Sequence, residues 1–168
     1  MALRASARLS GLALGVLEKD AQGVPVPAAG VFWSLTHKPA LVGGVAAPVP
    51  VGLDLEAVRP VSQGLRAKVA TPEEWDLAAG EPQAFFRFWT AKEATLKLTG
   101  RGLGGLSGCR VVRVVDRESL ETGCEGRIYR VRQLDLQNHW AAVAGEAAAV
   151  QWHVLDPAGL RPEDGAGD

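Results

Sequence analysis

Three carboxylates and three basic side chains carry the chemical signal in this chain. Asp54 and Glu56 stand two residues apart in Val51-Gly52-Leu53-Asp54-Leu55-Glu56, and Glu93 lies between Lys92 and Lys97 in Phe86-Arg87-Phe88-Trp89-Thr90-Ala91-Lys92-Glu93-Ala94-Thr95-Leu96-Lys97. Successive side chains of a strand alternate, so Asp54 and Glu56 project from one face and converge above it. Two close carboxylates repel unless something positive lies between them. Mg²⁺ meets that need, because it takes oxygen ligands, keeps several waters and is held by a few carboxylates together with substrate phosphate. Glu93 offers a third oxygen ligand, and Lys92 and Lys97 offer charge to a phosphate. Each piece also has a plainer reading. Alternating acids mark the wet face of a strand, and Glu93 with Lys97 at i,i+4 is a common surface ion pair on a helix. His37, ending a strand-like run beside Thr36, is balanced between a ligand contact and a structural hydrogen bond, whereas His139 and His153 lack any motif and read as structural.

The elements that must position these groups follow from local pattern. Residues 49–58 alternate with period two, placing Val51, Leu53 and Leu55 on one face and Gly52, Asp54 and Glu56 on the other. Residues 85–97 contain neither Pro nor Gly and are followed by Gly100, which predicts one helix. On that helix Phe86, Thr90, Glu93 and Lys97 are expected on one stripe, with Phe85, Trp89, Lys92 and Leu96 on its neighbour, Trp89 anchoring the helix to a sheet. The aromatic and β-branched content of 31–37 predicts a strand, with 41–47 pairing back on it. The first twenty residues read as a helix, or a helix followed by a strand. Gly23-Val24-Pro25-Val26-Pro27 is a turn and extended segment. A short helix is expected around 65–69, and Thr71-Pro72-Glu73-Glu74 opens another through about Ala79, with a cap, a proline at the first position and a glutamate at the third. After the glycine-rich stretch 100–108, strands are expected at 110–115, 126–134, 140–144 and 148–155 as an antiparallel meander, and 156–168 as a disordered tail.

The chain has 168 residues, 47% hydrophobic and 22% charged, with a formal net charge of -1 and a pI near 6.3. That size suits one domain, with room for two small lobes. The near-neutral balance excludes nonspecific nucleic-acid or membrane binding driven by overall charge, so an anionic ligand must be held by local groups. The longest apolar run, 40–58, is broken by Gly, Pro, Asp54 and Glu56, and is no membrane span. Arg4 and Arg8 precede a short apolar stretch, but Glu18-Lys19-Asp20 follows without a small-residue cleavage pattern, which favours a cytoplasmic chain. Cys109 and Cys124 are too few for a metal knuckle. They could face each other across a hairpin, and idle buried thiols are the better expectation in a reducing compartment. The five tryptophans lack basic interleaving and read as core.

In order along the chain, Trp33-Ser34-Leu35-Thr36-His37, Gly52-Leu53-Asp54-Leu55-Glu56 and Phe86 through Lys97 resemble three motifs of the 4′-phosphopantetheinyl transferases; the third is the most specific. Gly100-Arg101-Gly102-Leu103 is similar to that family's Gly-Lys-Gly-Leu loop, and Trp140-Ala141-Ala142-Val143-Ala144 to its late core strand. The resemblance implies an α+β fold, an antiparallel sheet with a long helix packed across it, in two lobes, a shortened 1–50 and 51–155; a pseudo-twofold monomer is favoured over a cleft completed by another subunit of a homo-oligomer. It implies transfer of the phosphopantetheine arm of coenzyme A to a serine of an acyl or peptidyl carrier protein. Asp54, Glu56 and Glu93 would then hold Mg²⁺, Glu93 would take the serine proton, Lys92 and Lys97 would neutralise the pyrophosphate, and Thr36 with His37 would contact the 3′-phosphate. The alternatives are a non-catalytic relative that binds coenzyme A or a carrier, and a Mg²⁺-dependent pyrophosphate hydrolase. Two features depart from the family. Only about fifty residues precede the Asp54 strand, and Gly23-Val24-Pro25 stands where Gly-Lys-Pro is usual, leaving Arg4, Arg8, Lys19 or Lys38 to replace the missing lysine. Arg59, Arg66 and Lys68 offer a surface to an acidic carrier, with ordinary solvated charge as the equal alternative.

Overall fold

A computed structural model describes residues 1–78, 80–146 and 149–156. The chain opens with helix α1 (Ala2–Leu9), then the short strands β1 (Glu18–Lys19) and β2 (Pro25–Val26), which pair antiparallel. Strands β3 (Phe32–Lys38) and β4 (Leu41–Ala47) form a hairpin with Trp33 opposite Ala46 and Lys38 opposite Leu41. Next come β5 (Val51–Ala57) and three helices, α2 (Gln63–Val69), α3 (Pro72–Asp76) and α4 (Ala84–Thr99). A 3₁₀ turn at Leu103–Gly108 leads into β6 (Cys109–Asp116), β7 (Ser119–Cys124), β8 (Arg127–Asp135) and β9 (His139–Gly145). The strands after α4 join β5 in an antiparallel sheet ordered β5-β9-β8-β7-β6. This is a mixed α+β architecture with the long helix packed across an antiparallel sheet, as the sequence suggests.

Helix α4 is the centre of the core. Phe85, Phe86, Phe88, Ala91 and Ala94 are buried against Val111, Leu120, Val131, Trp140 and Ala142 of the sheet. Trp75 of α3 stacks on Phe88 with ring centroids 5.2 Å apart. Gly100 ends the helix in the left-handed region at φ 70°, a conformation glycine adopts without a side-chain penalty. Arg87 is also buried; its guanidinium reaches Glu81, Gln133 Oε1 and the Asp116 carbonyl.

Strand β5 lies between the two groups of strands. It pairs with β9, with Asp54 opposite Ala142 and Glu56 opposite Trp140. On its other side the Leu53 N–H donates to Ser34 Oγ at 3.0 Å, Thr36 Oγ1 donates to Asp54 Oδ1 at 3.4 Å, and Lys38 Nζ donates to Glu56 Oε1 at 2.8 Å. Residue numbers rise together across these contacts, so β3 and β5 run in the same direction. Helix α1 covers the far side of the hairpin, where Ser6 Oγ accepts from the Ala46 N–H.

Several boundaries differ from the sequence expectation. Strand β7 was not anticipated, although its burial alternates at Leu120, Thr122 and Cys124. Glu125 and Gly126, both at positive φ, close the turn to β8. The strand expected at 148–155 is not formed: residues 149–156 have no regular structure, although Val150 and Trp152 pack on the cluster of Ala47, Val51, Leu53 and Val143. Ala148 and the tail from 157 lie outside the described residues, as does Ala79, and α3 ends at Asp76. Cys109 and Cys124 are register partners across β6 and β7, buried and free, which joins both readings made of them.

Candidate active site

The site begins with Gly52. A Cβ placed there would lie 2.0 Å from the Ala94 carbonyl oxygen and 2.6 Å from the Leu98 nitrogen, so α4 rests directly on the β5 backbone. Glycine inside a strand commonly marks such close approach. Because side chains alternate, Asp54 and Glu56 share the face of Gly52 and look toward the same helix.

The helix answers with one stripe. Trp89, Glu93 and Lys97 follow each other at i,i+4 and are half-buried where most of α4 is fully buried. Trp89 Nε1 donates to Glu56 Oε1 at 3.0 Å. Lys97 Nζ reaches Asp54 Oδ1 at 2.7 Å and donates to the Leu53 carbonyl at 3.1 Å. Glu93 lies between these two contacts on the helix. The expected surface pair between Glu93 and Lys97 gives way to the Lys97–Asp54 bridge, and Trp89, expected as a packing anchor, also holds a carboxylate.

The electrostatics reflect three acids gathered in a partly dry place. Burial pushes the Glu93 carboxyl up to about 7, with the negative charges of Asp54 and Glu56 adding to it and Lys97 and Lys38 opposing it. Burial also raises Asp54, against the pull of Lys97. Asp54 Oδ2 is buried without a hydrogen-bond partner. This is a donor set of hard oxygens with excess negative charge and an orphaned lone-pair site, and it fits an oxygen-loving divalent cation such as Mg²⁺. Among the described residues, no three His, Cys, Asp or Glu side chains are already grouped closely enough to enclose an ion. The ammonium groups of Lys97 and Lys38 hold Asp54 and Glu56 instead, so a cation would bind by displacing them.

The remaining sequence candidates separate. Thr36 is buried and turned to Asp54, whereas His37 is exposed, because neighbours on a strand face opposite ways. Lys92 does not join the cluster at all. It is 2% exposed, with Nζ 2.6 Å from Glu74 Oε1 and donating at 2.6 Å to the Val69 carbonyl. Its expected neighbour Leu96 is buried with it, so the polar stripe is Trp89–Glu93–Lys97 rather than either stripe drawn from sequence. Lys38, one of the cations offered as replacements for the absent lysine, contacts Glu56 at the cluster. Val24, at the position of that lysine, borders Gly100 at the end of the same helix. Two contributions escaped sequence reasoning: the close approach at Gly52, signalled by a glycine inside a strand, and the indole contact of Trp89, signalled by its i,i+4 spacing from Glu93. Among the described residues no helix is long and apolar enough to cross a membrane.

Comparison with known proteins finds relatives by sequence. The model of the 4′-phosphopantetheinyl transferase superfamily matches residues 50–153, more than half of the chain and including β5, α4 and β9. The 4′-phosphopantetheinyl transferase psf-1 of Bacillus pumilus is 30% identical over 100 residues, 55% of this chain and 43% of that protein. The 4′-phosphopantetheinyl transferase HetI of a Nostoc species is 36% identical over 85 residues, 46% of this chain and 36% of that protein. The match covers less than half the length of either relative.

Proposed function

We propose that this chain, which belongs to the 4′-phosphopantetheinyl transferase superfamily, moves the phosphopantetheine arm of coenzyme A onto a serine hydroxyl of an acyl or peptidyl carrier protein. The observation that carries the proposal is the Trp89–Glu93–Lys97 stripe of α4 set over Asp54 and Glu56 of β5. In the transfer the serine oxygen forms a bond to the β-phosphorus of coenzyme A while the bond to adenosine 3′,5′-bisphosphate breaks. Glu93 accepts the serine proton; in the metal-free site burial and the neighbouring acids raise its carboxyl to about 7, and a bound Mg²⁺ would favour the ionised form that can take the proton. Lys97 and Lys38, freed from their carboxylates, face the pyrophosphate charge, and His37 is placed at the strand end for an outlying phosphate. Asp54, Glu56 and Glu93 would hold Mg²⁺, which supplies charge neutralisation for phosphoryl transfer. Positioning and neutralisation carry most of the catalysis in such reactions. The protein would work in the cytoplasm, as a monomer.

Incubation with coenzyme A, Mg²⁺ and an apo carrier, followed by mass spectrometry of the carrier, tests this reading. The expected result is a carrier heavier by one phosphopantetheine, with adenosine 3′,5′-bisphosphate released. An unchanged carrier with intact coenzyme A would favour a non-catalytic binding relative, and an unchanged carrier with cleaved coenzyme A a hydrolase.

A further inference from the structure

We infer that the buried Glu74–Lys92 ion pair is a positioning device that sets the rotation of α4, so that Glu93 faces Asp54 and Glu56. The inference rests on the role given to Glu93 above.

The pair is almost wholly enclosed, with side chains 6% and 2% exposed. Glu74 is a junction of several elements. Its Oε2 accepts from the Thr71 N–H at 3.0 Å and its own N–H donates to Thr71 Oγ1 at 3.4 Å, closing the capping box of α3. Its Oε1 accepts from the Val111 N–H of β6 at 2.7 Å and holds Lys92 of α4. Lys92 completes the junction by donating to the Val69 carbonyl at the end of α2. The carboxylate and ammonium therefore tie α2, α3, β6 and α4 together.

The geometry of a helix makes this consequential for the next residue. Adjacent side chains are separated by about 100° around the axis, so anchoring Lys92 toward α2 and α3 turns Glu93 toward β5. Elsewhere on α4, Arg87 bonds Glu81, Gln133 and the Asp116 carbonyl near the start of the helix and Thr95 bonds Thr122, while Lys92 is the buried polar anchor adjacent to Glu93; the contacts between these points are mainly Phe and Ala, and apolar burial is not directional. A hydrogen-bonded ion pair has a preferred geometry. Buried pairs contribute little net stability over apolar replacements, so stability alone does not account for a charged junction here. Fixing orientation does.

The test compares Glu74→Gln, Lys92→Met and the double variant with the wild type. Glutamine at Glu74 keeps the shape and one acceptor oxygen, but its amide nitrogen must face either the Thr71 N–H or the Val111 N–H, so the variant removes the charge and one of those two bonds. Transfer kinetics and Mn²⁺ affinity, read by electron paramagnetic resonance, are measured at a temperature where each variant is folded. The expected result is a kcat loss on the order of 10²-fold in each single variant, as a small displacement of a catalytic group produces. The KM for coenzyme A should stay within about twofold, since no substrate contact is removed. Mn²⁺ binding should weaken in the same variants. The double variant should be no slower than the worse single, because the two residues act as a unit. If Glu74→Gln fails to fold, the double variant, which buries no unpaired charge, carries the same kcat and KM comparison. Unchanged kcat and Mn²⁺ affinity with a lowered melting temperature would overturn the inference in favour of a purely structural pair. A raised KM in Lys92→Met alone, additive with Glu74→Gln, would overturn it in favour of a phosphate contact. A wild type that never modifies the carrier would count against the transfer reading instead, and Mn²⁺ affinity would still decide the positioning role.

Discussion

Gly52→Ala isolates the contact on which the candidate site is built. The added Cβ would lie 2.0 Å from the Ala94 oxygen, and bringing that separation out to ordinary contact at 3.4 Å requires α4 to withdraw by about 1.4 Å. The obstacle is helix backbone, so no side-chain rotation relieves it. The bonds from Lys97 to Asp54 and the Leu53 carbonyl, now 2.7 and 3.1 Å, would stretch beyond hydrogen-bonding range. Overpacking of this kind costs about 1–3 kcal/mol, and a backbone clash belongs at the upper end. For a chain of this length that lowers the melting temperature by roughly 6–12 °C. In an unobstructed strand the same substitution stabilises by about 0.5–1 kcal/mol, so the sign of the effect is decisive. Thermal unfolding followed by circular dichroism, with transfer assayed on the folded variant, measures both consequences. A Gly52→Ala protein as stable as the wild type and equally active would refute the helix-on-strand account.

Other substitutions probe the charges. Asp54→Asn should abolish transfer yet raise stability in metal-free buffer: burial raises the Asp54 pKa, so the wild type loses stability as pH rises through that value, and the variant does not. Urea unfolding from pH 4 to 8 should show the gap opening with pH; a variant less stable at every pH would contradict this. The Cys109 thiol is pushed up to about 12 from 9.0, chiefly by burial, so its contribution is intact below pH 9 and lost as pH rises toward 12. Unfolding at pH 8 and pH 10 should show that decline in the wild type and a smaller one in Cys109→Ala. Lys38→Ala should raise the KM for coenzyme A with stability changed by less than about 1 kcal/mol, because its bridge to Glu56 is partly exposed. Unchanged KM would remove Lys38 from the substrate contacts.

Much of the architecture was legible because it rests on local pattern. The period-two run through Asp54 and Glu56 became β5, the uninterrupted run around Glu93 became α4, and Thr71 with Glu74 formed the expected capping box. What failed depended on long-range packing. The stripes of α4 were misdrawn because the helix is enclosed almost all round, and no polar face announces its orientation. Lys92 was read as a phosphate contact because lysine is ordinarily solvated. Its partner, Glu74, sits on another helix and is visible in sequence only as a cap. Strand β7 is short and centred on Leu120-Glu121-Thr122, too few residues for its alternation to stand out. The 148–155 run has strand composition, but there Val150 and Trp152 pack on the core without forming a strand. A joint role for Asp54, Glu56 and Glu93 is an expectation from residue type; α4 does lie on β5 above the two acids, but Lys97 and Lys38, and not a grouped triad, hold them.

The most direct measurement is the rate of carrier modification by the wild type and by Glu93→Gln, each with coenzyme A and with Mg²⁺ present or chelated. The account predicts one phosphopantetheine added by the wild type only when Mg²⁺ is present, and none by Glu93→Gln at matched folded concentration. Modification by Glu93→Gln at the wild-type rate, or by the wild type with the metal chelated, would contradict it.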